Sequence, residues 1–442
     1  MSQHSITVIG AGCAGCAAAL TAARCGREVR LFEQRPENST SIHEGALPCE
    51  LTGSNDLGVE DLDRATGLLK AELQELCPAA LRAADSSRIG EHSLMVDRSA
   101  FALAILAAIE SSERITLIRD EVRKLPGGIV VLATGPTTWS PLARGLHHAA
   151  DAHYAFSWIG RAPLVSIDGI DLDAAEWWPP YPGAEPALFL PVADEQLQEF
   201  ARRLAEGERD NVPAFTGEMM LADQAVPIER LAAHPEELAG AILRGPQGPD
   251  VPEHGPMLRL DPDDTDHDAF HIHGCLTALT AAAQSHALKA LPGFARAKIV
   301  RPGTIHRIPR VPGDEALLPT LQLERTPRVL VAGTLTGVYG YAEALATGAA
   351  AGLGAARLAG SRRPMPPPPE SLIGALCRCL AERTPNAQGR MIRANFGMVA
   401  EPAAAEGLSK RERRERQMES AIKAVRAWLR DVVGESTPNS RS

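Results

Sequence analysis

SITVIGAGCAGCAAALTAARCGREVRLFE, residues 5–33, decides the fold. Ser5–Ile9 reads as a short buried strand, and the Ala-rich run after Gly12 reads as a helix ending near Gly26. REVRLFE then reads as a second strand closing on Glu33. Between strand and helix stand Gly10, Gly12 and Gly15 at G-x-G-x-x-G spacing. The chemistry needs each of them. The first glycine allows a tight turn, the second lets the backbone approach a pyrophosphate, and the third lets helix and strand close together. Free N–H groups and a partial positive charge at the helix N-terminus suit phosphates. Glu33, at the end of the second strand, is placed to accept hydrogen bonds from ribose hydroxyls. A glycine triplet alone is weak evidence, whereas one framed by strand, helix and acidic strand end predicts a bound dinucleotide.

Two further segments select the dinucleotide. Gly127–Pro136 (GGIVVLATGP) is an apolar strand ending in a turn that carries Thr134 and Gly135. Arg328–Gly360 is another strand, a glycine turn with Gly333, Thr336 and Gly337, and a long small-residue helix. Three such features in this order favour FAD over a simply bound nicotinamide nucleotide. The expected class is α/β: a two-dinucleotide-binding, Rossmann-type FAD domain with an inserted smaller α+β domain. The FAD domain is expected in two halves, residues 1–150 and 270–400. The insert takes residues 151–269, a basic amphipathic helix 401–433, and a disordered tail 434–442. The insert contains WWPPYPGAEP and the acidic, His-bearing stretch Asp261–Gly274, read as a solvated loop entering a strand. His267, His271 and His273 are weighed there as metal ligands and set aside, so no metal is expected. The MPPPPE stretch at Met365–Glu370 reads as a stiff linker.

Composition bounds the partners. The 442 residues carry a formal net charge of −10, with 45% hydrophobic and 23% charged residues. No apolar run is long enough for a membrane span, and the chain begins directly with a strand, so a cytoplasmic protein is expected. The eight cysteines, taken as scattered, are read as free thiols. The acidic balance argues against a nucleic-acid grip, so RNA is held possible but not favoured. The segment Leu408–Arg430 has eight basic and three acidic residues, with Met418, Ile422, Val425 and Leu429 at helical spacing. It is read as a helix docked on the core in preference to an RNA contact.

From about Ile6 to Pro402 the sequence resembles the folate- and FAD-dependent tRNA uracil-5-methyltransferase family, TrmFO. The resemblance is carried by VIGAG-AG with Glu33-Gln34-Arg35-Pro36, Cys49–Leu57 (CELTGSNDL), Ala65–Leu73, Met95–Phe101 and the ATGP turn. Val226–Glu229 (VPIE), Pro319–Ala344 and Ala394–Met398 (ANFGM) extend it. The family implies transfer of a methylene group from 5,10-methylenetetrahydrofolate to C5 of a uracil. Electrons come from reduced FAD recharged by NAD(P)H. A cysteine thiolate adds at C6, and a second cysteine lies nearby.

This chain departs from that pattern at both thiols. Where the family has E-L-V-C-S-N, Gly53 holds the cysteine position, and where it has C-M-P-I-E, Ala225 does. Neither residue can form a covalent adduct. Cys49 is considered as a replacement nucleophile, while Cys275, Cys377 and Cys379 have ordinary core readings. The family's G-x-Q-T reads Gly274-Cys275-Leu276-Thr277 here, and its G-V-E-G-Y reads Gly337-Val338-Tyr339-Gly340-Tyr341. Its M-H-R-N-T reads Ile305-His306-Arg307-Ile308-Pro309.

The expected cofactor ligands are Gly10, Gly12, Gly15, Glu33, Thr134, Gly135, Gly333, Thr336 and Gly337. His306, Arg307 and Asn395 are candidates for the folate or nicotinamide side, because a guanidinium grips carboxylates. Intact nucleotide glycines beside missing thiols point to an FAD-dependent oxidoreductase using NAD(P)H or a reduced folate. The alternatives are an RNA uracil methyltransferase with another nucleophile and a non-catalytic RNA-binding flavoprotein.

Overall fold

A computed structural model describes residues 5–434, apart from 39, 41, 92, 138–139, 152–154, 174, 211–220, 222–224, 249–250, 252, 264–266, 383–390 and 401–407. The expected tail 434–442 therefore lies almost wholly outside the described residues.

A five-stranded sheet forms the frame, in the order Val329–Val331, Ile129–Leu132, Ile6–Ile9, Val29–Glu33 and Ile115–Arg119. All four pairings are parallel, with Ile6 opposite both Val29 and Ile129. The central strand is buried on both faces, as parallel sheets require, and so reads as an uninterrupted apolar run. Its partner Ile129–Leu132 is buried throughout too. Helix Cys13–Arg24 follows the first strand, and helix Tyr341–Ala359 lies against it. Their small residues explain the closeness. A Cβ added to Gly348 would stand 2.1 Å from the Ala14 carbonyl oxygen, and one on Gly352 would stand 2.4 Å from that of Ala18. Only backbone against backbone fits there.

The second lobe is a six-stranded sheet running from Ile299–Arg301 at one edge to Glu176–Trp178 at the other. Helices Asp194–Glu206, Pro235–Ile242 and Ala281–Leu288 cover it through Leu188, Phe200, Leu238, Phe270 and Leu288, which are buried. The lobe extends past the expected boundary at residue 269. Strands Ala269–Ile272 and Ile299–Arg301, with the helix between them, complete its sheet and core. The return to the dinucleotide domain comes only after the ribbon Ala155–Arg161/Thr304–Arg310 that joins the lobes. Composition does not change at residue 270, so only strand pairing reveals the true edge.

The stretch Asp261–Gly274 is also not simply a solvated loop. Strands Met257–Pro262 and Ala269–Ile272 pair across it, and His271 and Asp263 are buried. The three histidines diverge. His267 stacks on Trp177 with ring centroids 5.0 Å apart, His271 meets Asp263 at 2.6 Å, and His273 meets Asp261 at 3.1 Å.

The C-terminal helix is Lys410–Gly434, and it packs on helix Ala65–Leu76. Its fully buried face is Ala421, Val425, Trp428 and Val432, while Met418, Ile422 and Leu429 flank it. Arg426 pairs with Glu75 at 2.8 Å and Arg414 donates to the Asp63 carbonyl, so part of its basic character binds the helix to its own protein.

Candidate functional site

The glycine turn divides its labour as the spacing implies. Gly10 has φ +95°, and a Cβ on it would lie 2.5 Å from the Ala133 carbonyl oxygen. A Cβ on Gly15 would lie 1.7 Å from the Gly10 oxygen. Around Gly12 a Cβ would meet nothing within 4 Å, so this glycine faces open space at the start of the helix. Here the uncapped first N–H groups of the helix can reach a ligand.

Two connected depressions run past that turn. The narrower one, about 110 Å³, is walled by Gly10, Gly12, Glu33, Thr134, Gly135 and Asp120–Val122. The wider cavity, about 470 Å³, is bounded on one side by Gly12, Cys13, Ala14, Gly333 and Thr334. Residues drawn from the segment between Ile42 and Gly58, the helix start Tyr341–Ala344 and the ribbon residues Ile159, Gly160, Arg161 and His306 complete its lining. Gly12, His43 and Gly135 line both. A trough that passes a helix N-terminus, with an acidic strand end at one extremity and a broad apolar chamber at the other, suits a long dinucleotide such as FAD.

Glu33 is 6% exposed and is held by the protein itself. It accepts from the Ala11 N–H at 3.2 Å and from Arg35 Nε at 3.0 Å. Burial works to raise its pKa, and the Arg35 bonds outweigh burial, so the carboxyl sits below the usual range and stays ionised. Arg35 also binds Glu50 at 2.7 Å and the carbonyls of Gly45 and Leu47. The loop that covers the cavity is thereby fastened to the dinucleotide turn.

Thr336 and Gly337 do not reach either wall. Thr336 is buried and donates to the Gly333 carbonyl at 2.8 Å, while Gly337, at φ +96°, shapes the turn. Gly333 alone of that trio faces the cavity.

The three folate-side candidates separate. In the ribbon, Thr304 pairs with Arg161 and His306 with Ile159. Alternation therefore puts Arg161, Ile159, Thr304 and His306 on the cavity face and Arg307 on the other. Arg307 stacks over Phe156 at 4.5 Å. Asn395 is exposed, outside the cavity wall, and donates to the Arg393 carbonyl; Arg393 and Ala394 are the wall residues there. His306 faces the cavity, with Thr304 Oγ1 2.7 Å from its Nε2. Burial, then the Arg161 charge, push its pKa down to about 4. Burial and Arg35 do the same to His43. Both imidazoles are neutral at physiological pH.

At the first cysteine position, Gly53 lines the cavity and its N–H donates to Tyr341 Oη at 2.6 Å. A Cβ on Gly53 would lie 3.0 Å from that oxygen. Ala225 packs with Trp158, Leu221, Leu276, Ala278 and Ile305, an apolar cluster behind the ribbon. Glu229 of VPIE is buried and accepts from Thr277 Oγ1 and the Ala278 N–H. Cys49 is fully buried, with its Sγ 3.2 Å from Cys13 Sγ. Hydrogen bonds to Cys13 and Cys16, with burial, hold its pKa well above that of a free thiol. It is no accessible thiolate.

Cys13, which lines the cavity, was missed in reading the cysteines as scattered. Cys13-Ala14-Gly15-Cys16 is a C-x-x-C unit inside the glycine motif itself. The nucleotide reading absorbed its letters and hid it. Arg98 was also missed. It donates to the carbonyls of Leu51 and Gly53 and to Asp263 Oδ1, tying the second lobe to the cavity loop.

Fold and site together define a Rossmann-type dinucleotide-binding protein with an antiparallel second lobe. The chain belongs to the family described as glucose inhibited division protein A, whose model matches residues 5–363. It is 34% identical to the methylenetetrahydrofolate–tRNA-(uracil-5-)-methyltransferase TrmFO of Deinococcus radiodurans, over 98% of this chain and 96% of that protein. It is 33% identical to a TrmFO of Thermus thermophilus, over 97% of each. Among solved structures, Aquifex aeolicus GidA superposes with a TM-score of 0.71 at 18% identity, covering 98% of this chain and 76% of that one; this speaks for the fold. Among the described residues, no helix is long and apolar enough to cross a membrane.

Proposed function

We propose that this chain is an FAD-dependent oxidoreductase that takes electrons from NAD(P)H or a reduced folate and does not use the cysteine-adduct route to 5-methyluracil. One observation carries the reading. The loop position that would carry the nucleophile is Gly53, already hydrogen-bonded to Tyr341, while Ala225 lies in an apolar cluster and Cys49 is sealed beneath the turn. The dinucleotide glycines keep their geometry beside them.

The protein's own residues have clear tasks in such a reaction. Gly12 and the helix start would hold the pyrophosphate, with Glu33 at the ribose end. The wide chamber would take the isoalloxazine, which supplies two-electron chemistry when bound. Neutral His306 offers a ring nitrogen to a second ligand without adding charge.

The relatives' names favour a second reading, methylation of a tRNA uracil by another nucleophile, and they restore RNA as a candidate partner despite the acidic net charge. Among the described residues, Cys13 is the thiol in the cavity lining, so a thiol-dependent form of that route would use it. The test incubates purified yellow protein with NADPH, labelled 5,10-methylenetetrahydrofolate and unmodified RNA, and follows flavin reduction and label together. Flavin turnover without label supports the oxidoreductase. Label in uracil that survives Cys13→Ser refutes any thiol route through that residue, and label in uracil of any kind refutes the leading reading.

A further inference from the structure

Arg161 ends the ribbon strand and lines the cavity that the dinucleotide turn also lines. It is 9% exposed. Its hydrogen bonds among the described residues run from one terminal nitrogen to the carbonyls of Ile42 at 3.2 Å and Thr52 at 3.5 Å. Its Nε has no partner there. Among the described residues no carboxylate pairs with it. Behind it, Arg301 is 7% exposed, with Nε and one terminal nitrogen unpartnered and the other 3.3 Å from Glu44. Arg301 and Arg98 both bear on Arg161 as like charges; burial first, then Arg301, bring its pKa down to about 10. It therefore remains a cation at neutral pH. The two histidines beside it are neutral.

Glu44, paired with Arg301, opposes these like charges only from beyond pairing distance. A buried cation with no carboxylate against it is costly, because its desolvation is poorly offset. Native proteins seldom leave such a donor unsatisfied unless an ion or ligand completes it. The wall on which it stands matters as well. The dinucleotide turn, Gly12–Ala14 with Gly333, lines the same cavity, so Arg161 shares its chamber with the proposed cofactor site.

We propose that Arg161 is the receptor for an oxyanion of the second ligand, a carboxylate or phosphate group brought into the chamber against the ribbon wall. This role deepens the reading of a flavin enzyme with an anionic small-molecule reactant. It replaces Arg307, which points the other way. Guanidinium suits the task because its fork pairs with either oxyanion in two parallel bonds. Two sources have this chemistry: the glutamate carboxylates of a folate and the phosphates of a nicotinamide nucleotide.

The test compares the purified flavoprotein with Arg161→Met and Arg161→Lys by equilibrium dialysis. The probes are 5-formyltetrahydrofolate, 6-methyltetrahydropterin, which lacks the carboxylates, and NADPH. Arg161→Met should weaken the oxyanion-bearing probe by about 10- to 100-fold, as for a lost charged hydrogen bond. It should leave the pterin within about threefold, and Arg161→Lys should fall between, since a point charge cannot form the fork. Selective loss on the folate assigns the carboxylate, and selective loss on NADPH assigns the phosphate. Folate and pterin weakened alike, or no loss on any probe that the wild type binds, overturns the proposal. Melting in sodium sulfate against sodium chloride at matched ionic strength gives an independent arm. Sulfate should raise the wild-type midpoint and not that of Arg161→Met; equal responses overturn the proposal. If no folate binds the wild type while sulfate still separates the variants, the folate reading fails and the oxyanion site stands.

Discussion

Arg98→Met should be among the most damaging single substitutions outside the glycine turn. Arg98 donates to Asp263 Oδ1 at 2.7 Å and to the carbonyls of Leu51 and Gly53, with side-chain exposures of 14% for Arg98 and 10% for Asp263. His271 Nε2 lies 2.6 Å from the same Asp263 oxygen and 2.7 Å from Arg98, so it can donate to one or accept from the other but not both. Burial works to raise the Asp263 pKa, and bonds from His271 and the Arg98 charge overcome it, bringing the carboxyl to about 2. Removing one partner of a buried pair costs about 3–5 kcal/mol. Gly53 lines the cavity, so water can reach its freed carbonyl, and the lower end applies, about 3 kcal/mol. Asp263→Asn, which keeps an acceptor, should cost about 2 kcal/mol, and the double variant should show a coupling of about 2 kcal/mol. The assay is urea unfolding read by circular dichroism and by flavin fluorescence. Because Arg98 secures the Gly53 loop, flavin release should move to lower urea than in wild type. A loss under about 0.5 kcal/mol, or a coupling near zero, would refute the reasoning that this pair joins the lobes.

Gly15→Ala should abolish flavin retention, because its Cβ would stand 1.7 Å from the Gly10 oxygen; protein purified yellow at normal stoichiometry would contradict this. His43 and His306 have pKa values near 4 in the fold against 6.5 when free, so the unfolded chain binds more protons below pH 6.5 and stability falls as pH drops from 6.5 toward 4. Each should cost about 2 kcal/mol at pH 5, and His306→Gln should remove its share of the difference between urea midpoints at pH 7.5 and 5. An unchanged pH slope would count against that burial. Cys49→Ser should leave flavin content intact, and in wild type a thiol reagent should label Cys49 only after unfolding; rapid native labelling would show that it is accessible. Truncation after residue 409 should bare the face of Ala421, Val425 and Trp428 and its mate on helix Ala65–Leu76, producing aggregation measurable by light scattering.

The dinucleotide fold was legible in residues 5–33 because its determinants are local. Gly10, Gly12 and Gly15 act over a few residues, and the apolar run of a strand buried on both faces is visible without knowing its neighbours. Likewise the late strand, turn and small-residue helix announce themselves by composition. What sequence could not supply was parity and partnership. Arg307 and His306 are adjacent in the chain, and only the pairing of Thr304 with Arg161 decides that one takes the far side of the ribbon and the other the chamber. The Arg98–Asp263–His271 cluster joins residues 165 and 173 positions apart, a distance over which no periodicity carries information. Cys49 became an unsuitable nucleophile only when folding placed Cys13 against it and excluded water. The sequence by itself determined which turns could hold a dinucleotide, since backbone sterics are a property of each residue. Tertiary structure alone decided which charged groups share the cavity, because burial and electrostatics depend on what the rest of the chain brings to them.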